Sequence, residues 1–204
     1  MESAWPERPA SQGSLLARLG QVRSQENRPP ARAPASPAPK AVSYTHLLAL
    51  VGPECKELDG ILGYYGEQLM LLAQSLGLNS CWVGGTYKVV NRAYNVDLGQ
   101  KLAAVIALGY GTTQGVPHRS KAPQAVVPGY DGAPEWFKRG VDAALLAPTA
   151  LNQQKFSFSL DGEVGDVPVV RASTRRGAFA QMDLGIAQCH FEIGAGPALY
   201  RWAE

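Results

Sequence analysis

The stretch "GEQLMLLAQSLG", residues 66–77, has two glycines that stand eleven positions apart, one at each end. In "GIAQCHFEIGAG", residues 185–196, two glycines again stand eleven positions apart, so that Leu72 would correspond to Phe191. Because glycine lets a second backbone approach closely, the echo predicts two related halves about a pseudo-twofold, with these two helices crossing at the centre. Glycine is common in this chain, with 22 of 204 residues, so chance is the alternative explanation.

The first of these segments belongs to a longer helical pattern, residues 60–76. Its apolar side chains keep helical spacing, which predicts an amphipathic helix; they are Ile61, Leu62, Tyr65, Leu69, Leu72, Ala73 and Leu76. Gly77 follows in the position that a left-handed cap requires. The second segment belongs to a final predicted helix, "FAQMDLGIAQCHFEIGAG".

Three strands are predicted around the first helix. "THLLALVG" reads as a strand that ends at Gly52-Pro53, and "NSCWV" as a short strand or edge. "KLAAVIALGY" is a continuous apolar run, the kind found in strands that are buried on both faces. A further helix is expected in parts of residues 86–94, and a proline-containing loop over residues 112–133.

The second half begins with a helix, "APEWFKRGVDAALLAP", which has Pro134 near its first turn and Pro148 beyond its end. "QKFSFSLDGEVGDVPVVRA" alternates apolar and polar residues across an Asp-Gly turn region, which predicts a hairpin. The order of elements indicates an α+β fold, with helices against a mostly antiparallel sheet.

Residues 1–47 differ in composition from the rest of the chain. "ENRPPARAPASPAPK" is typical of an extended, disordered segment. "VSYTHL", residues 42–47, resembles the translated end of a transposon used to prepare sequencing libraries, which would make the tail non-native; an ordinary strand entry is the alternative. The predicted globular domain is residues 48–204, with half-units at about 48–125 and 132–204.

Charge and composition disfavour several classes of protein. The tail has six Lys/Arg against three acids, a net +3, and the remainder has thirteen against fourteen, a net −1. The positive charge therefore lies in a Pro/Arg-rich tail and not on a helix that could face nucleic acid. The apolar runs are too short to cross a bilayer, the start lacks a signal-peptide pattern, and the three cysteines match no zinc spacing. We expect a cytoplasmic protein with no metal, membrane or nucleic-acid partner.

Two segments could carry chemistry. In "LGLNSCWVGGTY", Gly84 and Gly85 expose backbone N–H groups that a flat, electron-rich ligand could approach, although a plain turn after an edge strand is the simpler interpretation. In "APTALNQQKF", Thr149 and Asn152 could cap and close a loop or hydrogen-bond a heteroaromatic ring or ribityl chain.

Four motifs in this order resemble the nitroreductase family of flavoproteins, and within it the single chains that fuse two half-units into an internal pseudo-dimer. They are "LGLNSCWVGGTY", "AAVIALGYG", "AALLAPTALNQQKFSF" and "MDLGIAQCHFEIGAG". The resemblance covers about residues 48–204. It implies an FMN-dependent oxidoreductase that passes electrons from NAD(P)H to a nitroaromatic, quinone or similar small-molecule acceptor. It also implies a monomer in which the two halves share one site.

The resemblance also implies a flavin site. Residues 83–85 would run past the isoalloxazine ring, and the loop at residues 148–152 would lie along FMN from across the interface between the halves. Arg119 and Lys121 would neutralise the phosphate, and Gln154 would support the loop. The implied cofactor-binding residues are Val83, Gly84, Gly85, Arg119, Lys121, Pro148, Thr149, Ala150, Asn152 and Gln154. No catalytic side chain is implied, and His190 and Glu192 are expected to serve packing or hydrogen bonds in the core.

The chain departs from the family pattern in three places. Lys155-Phe156 stands where family members usually have Pro-Trp, and Thr149 replaces the usual Ser but keeps the hydroxyl. The Arg motif with which the family begins has no equivalent in "RLGQVRSQENR", which indicates a truncated or chimeric start. Two other hypotheses therefore stay open. One is a degenerate, flavin-free pseudo-dimer that acts as a binding or structural protein, and the other is a module that binds nucleic acid or a partner through its basic tail.

Overall fold

The structure is a computed structural model that describes residues 46–85, 87, 94–111, 113, 115–196 and 200–203. Within these residues the chain forms two three-stranded sheets with helices packed on them, which confirms the predicted α+β class. The tail before residue 46 and most of the helix predicted in residues 86–94 lie outside the described residues.

The first sheet has the strand order β1–β3–β2, and both pairings are antiparallel. Its strands are β1, His46–Pro53; β2, Asn79–Val83; and β3, Gln100–Gly109. The continuous apolar run predicted to be buried on both faces is the central strand, and Ala104, Val105, Ile106 and Ala107 in a row are buried. "NSCWV" is an edge strand, as predicted.

The second sheet has the order β4–β5–β6 and mixes an antiparallel with a parallel pairing. Its strands are β4, Phe156–Val164; β5, Val167–Thr174; and β6, Arg201–Trp202. The predicted hairpin is confirmed, but its turn is at Gly165-Asp166, where Gly165 has a φ of 63°. Asp161-Gly162 instead lies where the register between β4 and β5 shifts. An Asp-Gly pair is compatible with a β-bulge as well as with a turn.

Three helices pack on the sheets: α1, Leu58–Ser75; α2, Glu135–Ala144; and α3, Ala180–Ala195. All three were predicted. At the end of α1, Gly77 has a φ of 79°, its N–H bonds Gln74, and the N–H of Leu78 bonds Ala73. These are the two bonds of a Schellman cap, so the predicted left-handed cap is confirmed. The long loop contains one-turn 3-10 helices at Pro123–Ala125 and Tyr130–Gly132.

Helices α1 and α3 cross where glycines leave no side chain between the backbones. A Cβ added to Gly63 would lie 2.2 Å from the carbonyl oxygen of Met182, and one added to Gly185 would lie 2.0 Å from that of Gly60. The crossing of these two helices at glycines is therefore confirmed. Gly66 plays a different part, since its hydrogen faces the Trp82 ring and not α3.

The predicted apolar face of α1 is not its buried face. Tyr65, Leu69, Leu72 and Leu76 are 39% to 65% exposed. The buried side of the helix carries small and polar residues together with Leu58, Tyr64, Met70 and Ala73. Ala73 is buried and Leu62 packs against the core as predicted. The prediction was wrong for the four exposed residues because close backbone packing on α3 buries the glycine face of the helix. Leu72 and Phe191, which the echo would make equivalent, differ in burial, since Phe191 is fully buried.

An aromatic cluster joins the second sheet to α2 and α3. The rings of Phe158 and Phe191 have centroids 4.8 Å apart, and Trp136 stacks on Tyr200 at 5.3 Å. Two valines of the long loop, Val126 and Val127, are also buried, and the carbonyl of Val126 accepts the N–H of Phe158. The end of the loop thus belongs to the second half of the molecule. No helix in the described part of the chain is both long enough and apolar enough to cross a membrane.

Candidate functional site

A cavity of about 300 Å³ lies between the end of β2, the loop before β4 and the first turns of α3. Its walls are mostly apolar, and the polar side chains among them come from two residues, Gln153 and Asp183. The lining residues are Trp82, Gly84, Ala104, Pro148, Ala150, Leu151, Gln153, Ala178, Phe179, Met182, Asp183 and Ile186. Its size is at the lower end of the range for small-molecule sites, about 300–1,000 Å³.

One wall is bare main chain at the end of β2. Gly84 follows the strand directly, and a Cβ at this position would lie 2.8 Å from two carbons of the Phe179 ring. Phe179 comes from the other side of the cavity and has a left-handed backbone, with a φ of 59°. An unsubstituted wall and an aromatic ring face each other here, so a side chain at residue 84 would narrow the cavity.

The neighbouring Trp82 is held by a buried polar network. Its Nε1 donates to Oε2 of Glu67 at 3.0 Å, and Oε1 of Glu67 lies 2.8 Å from Nε2 of His190. On the same helix Glu192 accepts hydrogen bonds from Tyr64 at 2.6 Å and from Trp202 at 2.8 Å. The expectation that His190 and Glu192 serve hydrogen bonds in the core is therefore confirmed.

The opposite wall is a loop in which three residues have a left-handed backbone. Leu151, Asn152 and Gln154 have φ values of 52°, 51° and 43°. Such conformations cost about 1–3 kcal/mol each for residues other than glycine, and they persist where the surroundings enforce them, often at functional sites. Leu151 is also fully exposed, so its own side chain does not stabilise the conformation.

Side chains of the loop hold each other in place. Oγ1 of Thr149 accepts the N–H of Gln154 at 3.1 Å. Nε2 of Gln154 donates to Oδ1 of Asn152 at 2.6 Å and to the Arg119 carbonyl at 2.9 Å, and that carbonyl also accepts from Nδ2 of Asn152. Oε1 of Gln154 accepts the N–H of Lys121 at 2.9 Å. The polar run after Pro148 thus closes a loop through its own contacts.

Asp183 anchors this loop to α3 from a buried position, with 2% of its surface exposed. Its Oδ1 accepts the N–H of Ala150 at 2.9 Å, and its Oδ2 accepts Nε2 of Gln153 at 2.6 Å. Burial raises the pKa of the carboxyl above its ordinary value, although these two hydrogen bonds and the charge of Lys155 act in the opposite direction. The Asp183 carboxyl accepts both hydrogen bonds, and in this way it fixes the backbone of Ala150 and the side chain of Gln153 at the cavity.

The predicted cofactor-binding residues fall into three groups. Gly84, Pro148 and Ala150 line the cavity, and Val83 and Gly85 flank Gly84 in the chain. Thr149, Asn152 and Gln154 shape the loop by the contacts given above, which includes the supporting part expected of Gln154. Arg119 and Lys121 do not line the cavity; the Lys121 ammonium donates to the carbonyls of Gln153 and Gln154. Binding of a cofactor by these residues stays a prediction.

The sequence analysis missed Asp183, Gln153 and Phe179. Asp183 is an isolated acid in the first turn of an apolar helix, where a negative charge usually stabilises the helix end. Its buried position depends on the loop 33 residues earlier, which no local pattern indicates. Gln153 was within the quoted run, but the pattern gave no reason to choose it over its neighbours. Among the described residues no group of His, Cys, Asp and Glu is arranged to hold a metal ion.

Comparison with known proteins identifies the fold and its relatives. The family model described as "Putative TM nitroreductase" matches residues 26–195, a range that begins within the tail. The chain is also similar to the crystal structure of a "putative nitroreductase" from Thermotoga maritima, with 21% sequence identity and a TM-score of 0.55. The similarity covers 73% of this chain and 60% of that one. None of the curated proteins matches the chain.

Proposed function

The chain belongs to the nitroreductase family that the matching model describes, and from this premise we propose that it is an FMN-dependent oxidoreductase. It would take electrons from NAD(P)H and pass them to a nitroaromatic, a quinone or a similar small acceptor. The chain spans 60% of the length of its structural relative, so the activity is inferred from this chain's own cavity. The observation that carries the proposal is the slot between Gly84 and the Pro148–Ala150 segment.

The residues of the cavity fit the ring system of a flavin. Gly84 has no side chain, and the Phe179 ring lies against one face of its backbone, so a flat ring would approach this backbone from the cavity beside Phe179. Pro148, Ala150 and Met182 offer apolar surface across the slot. The bound flavin would supply hydride and electron transfer, and the protein would supply binding, orientation and electrostatics. The backbone N–H groups after Gly84 are donors that could stabilise negative charge at this wall.

The side chains of the described site have positioning roles. Asp183 fixes the loop through Ala150 and Gln153, as described above. The network from Glu67 to Trp82 fixes the opposite wall. The apolar lining excludes water, and none of the lining residues forms an acid–base pair, because Asp183 is the one titratable group among them. The proposed chemistry needs no such pair, since NAD(P)H and the electron acceptor would stack on the bound flavin one after the other.

We also propose that the two halves are related by the pseudo-twofold. The glycines of the two segments differ by a constant 119 positions, from Gly66 to Gly185 and from Gly77 to Gly196. The same shift takes residue 63 to residue 182, and these two residues touch at the crossing of α1 and α3. Under a twofold, a contact between a residue and its own equivalent lies on the axis. The position of this contact therefore supports an internal pseudo-dimer with one shared site.

The proposal is tested by cofactor binding. Purified protein, or protein mixed with FMN, should show the absorbance of bound flavin. A Gly84→Leu variant should bind at least about tenfold more weakly, because its side chain would enter the slot; such a loss corresponds to about 1.4 kcal/mol. A Gly132→Leu variant is a matched control, since no atom lies within 4 Å of a Cβ there. Wild-type protein that takes up no flavin would contradict the proposal.

One observation favours the alternative, a flavin-free pseudo-dimer with a binding or structural role. The polar side chains of the loop satisfy each other, and neither Arg119 nor Lys121 lines the cavity. Under that hypothesis Gly84→Leu would change only the free energy of unfolding. FMN would change the melting temperature neither of the wild type nor of the variant.

A further inference from the structure

Helix α1 and its C-terminal cap carry an apolar face that the described part of the chain leaves open. The side chains of this face recur at intervals of four, three and four residues, the spacing by which one helix packs on another. Each is 39% to 65% exposed. We call them the leucine face; they are Tyr65, Leu69, Leu72 and Leu76.

The leucine face has the composition of a buried surface. Between residues 60 and 78 the one charged side chain is that of Glu67, which is itself buried. The side of a helix that faces water normally carries charged and polar residues. We therefore expect another element to cover the leucine face.

The pseudo-twofold relates the leucine face to a buried face on α3. The shift of 119 positions takes its four residues to four positions of α3, each of which is no more than 9% exposed. They are Leu184, Gln188, Phe191 and Ala195. The equivalent positions of the two helices thus differ in one respect, because those of α3 are covered and those of α1 are open.

Helix α2 supplies part of the cover on α3. A Cβ added to Gly140 would lie 2.8 Å from the Phe191 ring, and the rings of Phe137 and Phe191 have centroids 5.4 Å apart. Further along α3, a Cβ added to Gly194 would lie 2.3 Å from the carbonyl oxygen of Arg139. The part of α3 that corresponds to Leu72 is therefore packed directly on a helix.

The same shift places a counterpart of α2 in the tail. It takes residues 135–144 back to residues 16–25, which overlap the segment "SLLARLGQV", residues 14–22. The apolar residues of this segment keep the spacing of one helical face; they are Leu15, Leu16, Leu19 and Val22. The family match begins only at residue 26, so the correspondence comes from the internal repeat of the chain.

We propose that residues 14–22 pack as a helix on the leucine face of α1, as α2 packs on α3. The inference rests on the pseudo-twofold proposed above and is independent of flavin binding. The connection is long enough, because residues 23–45 can extend over about 70 Å, whereas α1 is about 27 Å long. Residues 14–22 thus belong to the folded molecule, in contrast to the disordered or non-native tail expected from composition.

The contact is tested by disulfide cross-linking in the full chain. Leu19→Cys is combined with Leu72→Cys, and the exposed thiols are removed by Cys55→Ser and Cys81→Ser. Under mild oxidation we expect an intrachain disulfide, because packing brings the two residues within reach of each other. The matched control replaces Leu72→Cys by Val164→Cys, an exposed position at the end of β4 in the second half. It should cross-link at least about tenfold more slowly, since a disulfide needs Cα atoms within about 7 Å.

Urea unfolding of the full chain gives a second measurement. Leu19→Asp and Leu72→Asp should each lower the urea midpoint. The double variant should lower it by less than the two effects added together, because both changes remove the same contact. The combination of Leu19→Asp with Val164→Asp is the control and should be additive, as expected for distant sites.

Other results would overturn the inference in ways that can be told apart. Disulfides between two chains of Leu72→Cys, with a dimeric mass by light scattering, would place a second copy on the leucine face. No cross-link to Leu72→Cys from either Leu19→Cys or Leu16→Cys would show that the tail does not pack on α1, as a non-native tail predicts. A chain that gives either result and still binds FMN would keep the proposed function.

Discussion

Asp183 connects helix α3 to the loop that forms one wall of the cavity. It is buried, it lines the cavity, and it holds both a backbone N–H and a side-chain amide of the facing loop. Loss of one partner from a buried hydrogen bond costs about 1–3 kcal/mol, because the remaining group stays unsatisfied. The strained residues from 151 to 154 depend on this anchor, so a local change at Asp183 is expected to disturb the whole wall.

The ionisation of Asp183 predicts how stability depends on pH. Because burial raises its pKa in the folded protein, the folded state holds this proton more tightly than the unfolded chain does. Its stabilising contribution is therefore complete below the ordinary aspartate pKa of about 3.9 and is lost as the pH rises through the higher folded value. In Asp183→Asn this dependence is absent.

The measurement is urea unfolding of wild type and Asp183→Asn at about pH 3.5, 5 and 7. The stability of wild type relative to the variant should fall with rising pH. A difference that is constant or grows with pH would show that the carboxyl is easier to ionise in the folded protein than the structure indicates.

At this scale the sequence located part of the site. Gly84 was singled out as part of a double glycine, whereas Pro148 and Ala150 were implied by the resemblance to the nitroreductase family; all three line the cavity. Asp183 and Phe179 were missed, because their importance comes from contacts with residues about 30 and 95 positions away, on the loop and at Gly84. No local pattern carries that information.

At the scale of elements, the crossing of α1 and α3 depends on the absence of two side chains. We predict that Gly185→Ala destabilises the protein by about 1–3 kcal/mol, the usual cost of overpacking. Its Cβ would meet the carbonyl oxygen of Gly60 at 2.0 Å and the backbone nitrogen of Tyr64 at 2.8 Å, and main-chain atoms cannot turn aside. The gain in helix propensity, about 1 kcal/mol, offsets only part of this cost.

Urea unfolding followed by circular dichroism measures the effect of Gly185→Ala. Gly132→Ala is the control, since a Cβ there meets nothing within 4 Å, and it should change the free energy of unfolding by no more than about 0.5 kcal/mol. If the two variants were equally stable, the two helices would have to lie further apart than the structure places them.

Prediction from sequence succeeded for the elements and failed for one of their faces. Helix and strand positions follow from local periodicity and caps, and the left-handed Gly77 was visible in advance. The buried face of α1 could not be predicted in this way. The exposed leucines of α1 show helical spacing in the sequence, whereas the buried face is set by its close packing on α3, which needs glycine. Strand β6 was missed because two residues, Arg201 and Trp202, are too few to show any periodicity.

At the scale of the whole molecule, the two sheets are held together through α1 and α3. Two half-buried hydrogen bonds cross between the first half and the second: Tyr64 donates to Glu192, and Glu67 accepts from Nε2 of His190. The sequence predicted two half-units, but their separation into two sheets of three strands follows from tertiary packing. The backbones of α1 and α3 also pack directly on each other at Gly63 and Gly185, so neither half is expected to be stable alone.

This interdependence predicts the behaviour of a divided chain. A cut after Gly115, in the exposed loop, would leave Val126 and Val127 with the sheet they pack on. We expect residues 46–115 alone to show no cooperative urea transition by circular dichroism. Mixing them with residues 116–204 should restore one. The uncut chain 46–204 is the control, and a sharp transition in the first fragment alone would mean that the halves are independent domains.

Trp82 is an intrinsic fluorophore in the wall of the cavity. Its indole forms part of the cavity wall, and its Nε1 is tied to Glu67, so its environment is fixed until something enters the slot. Trp136 and Trp202 lie in the aromatic cluster of the second half and supply a steady background. Binding of a ligand in the cavity, whether or not the ligand absorbs visible light, can thus be followed by the tryptophan fluorescence of Trp82 without any added dye.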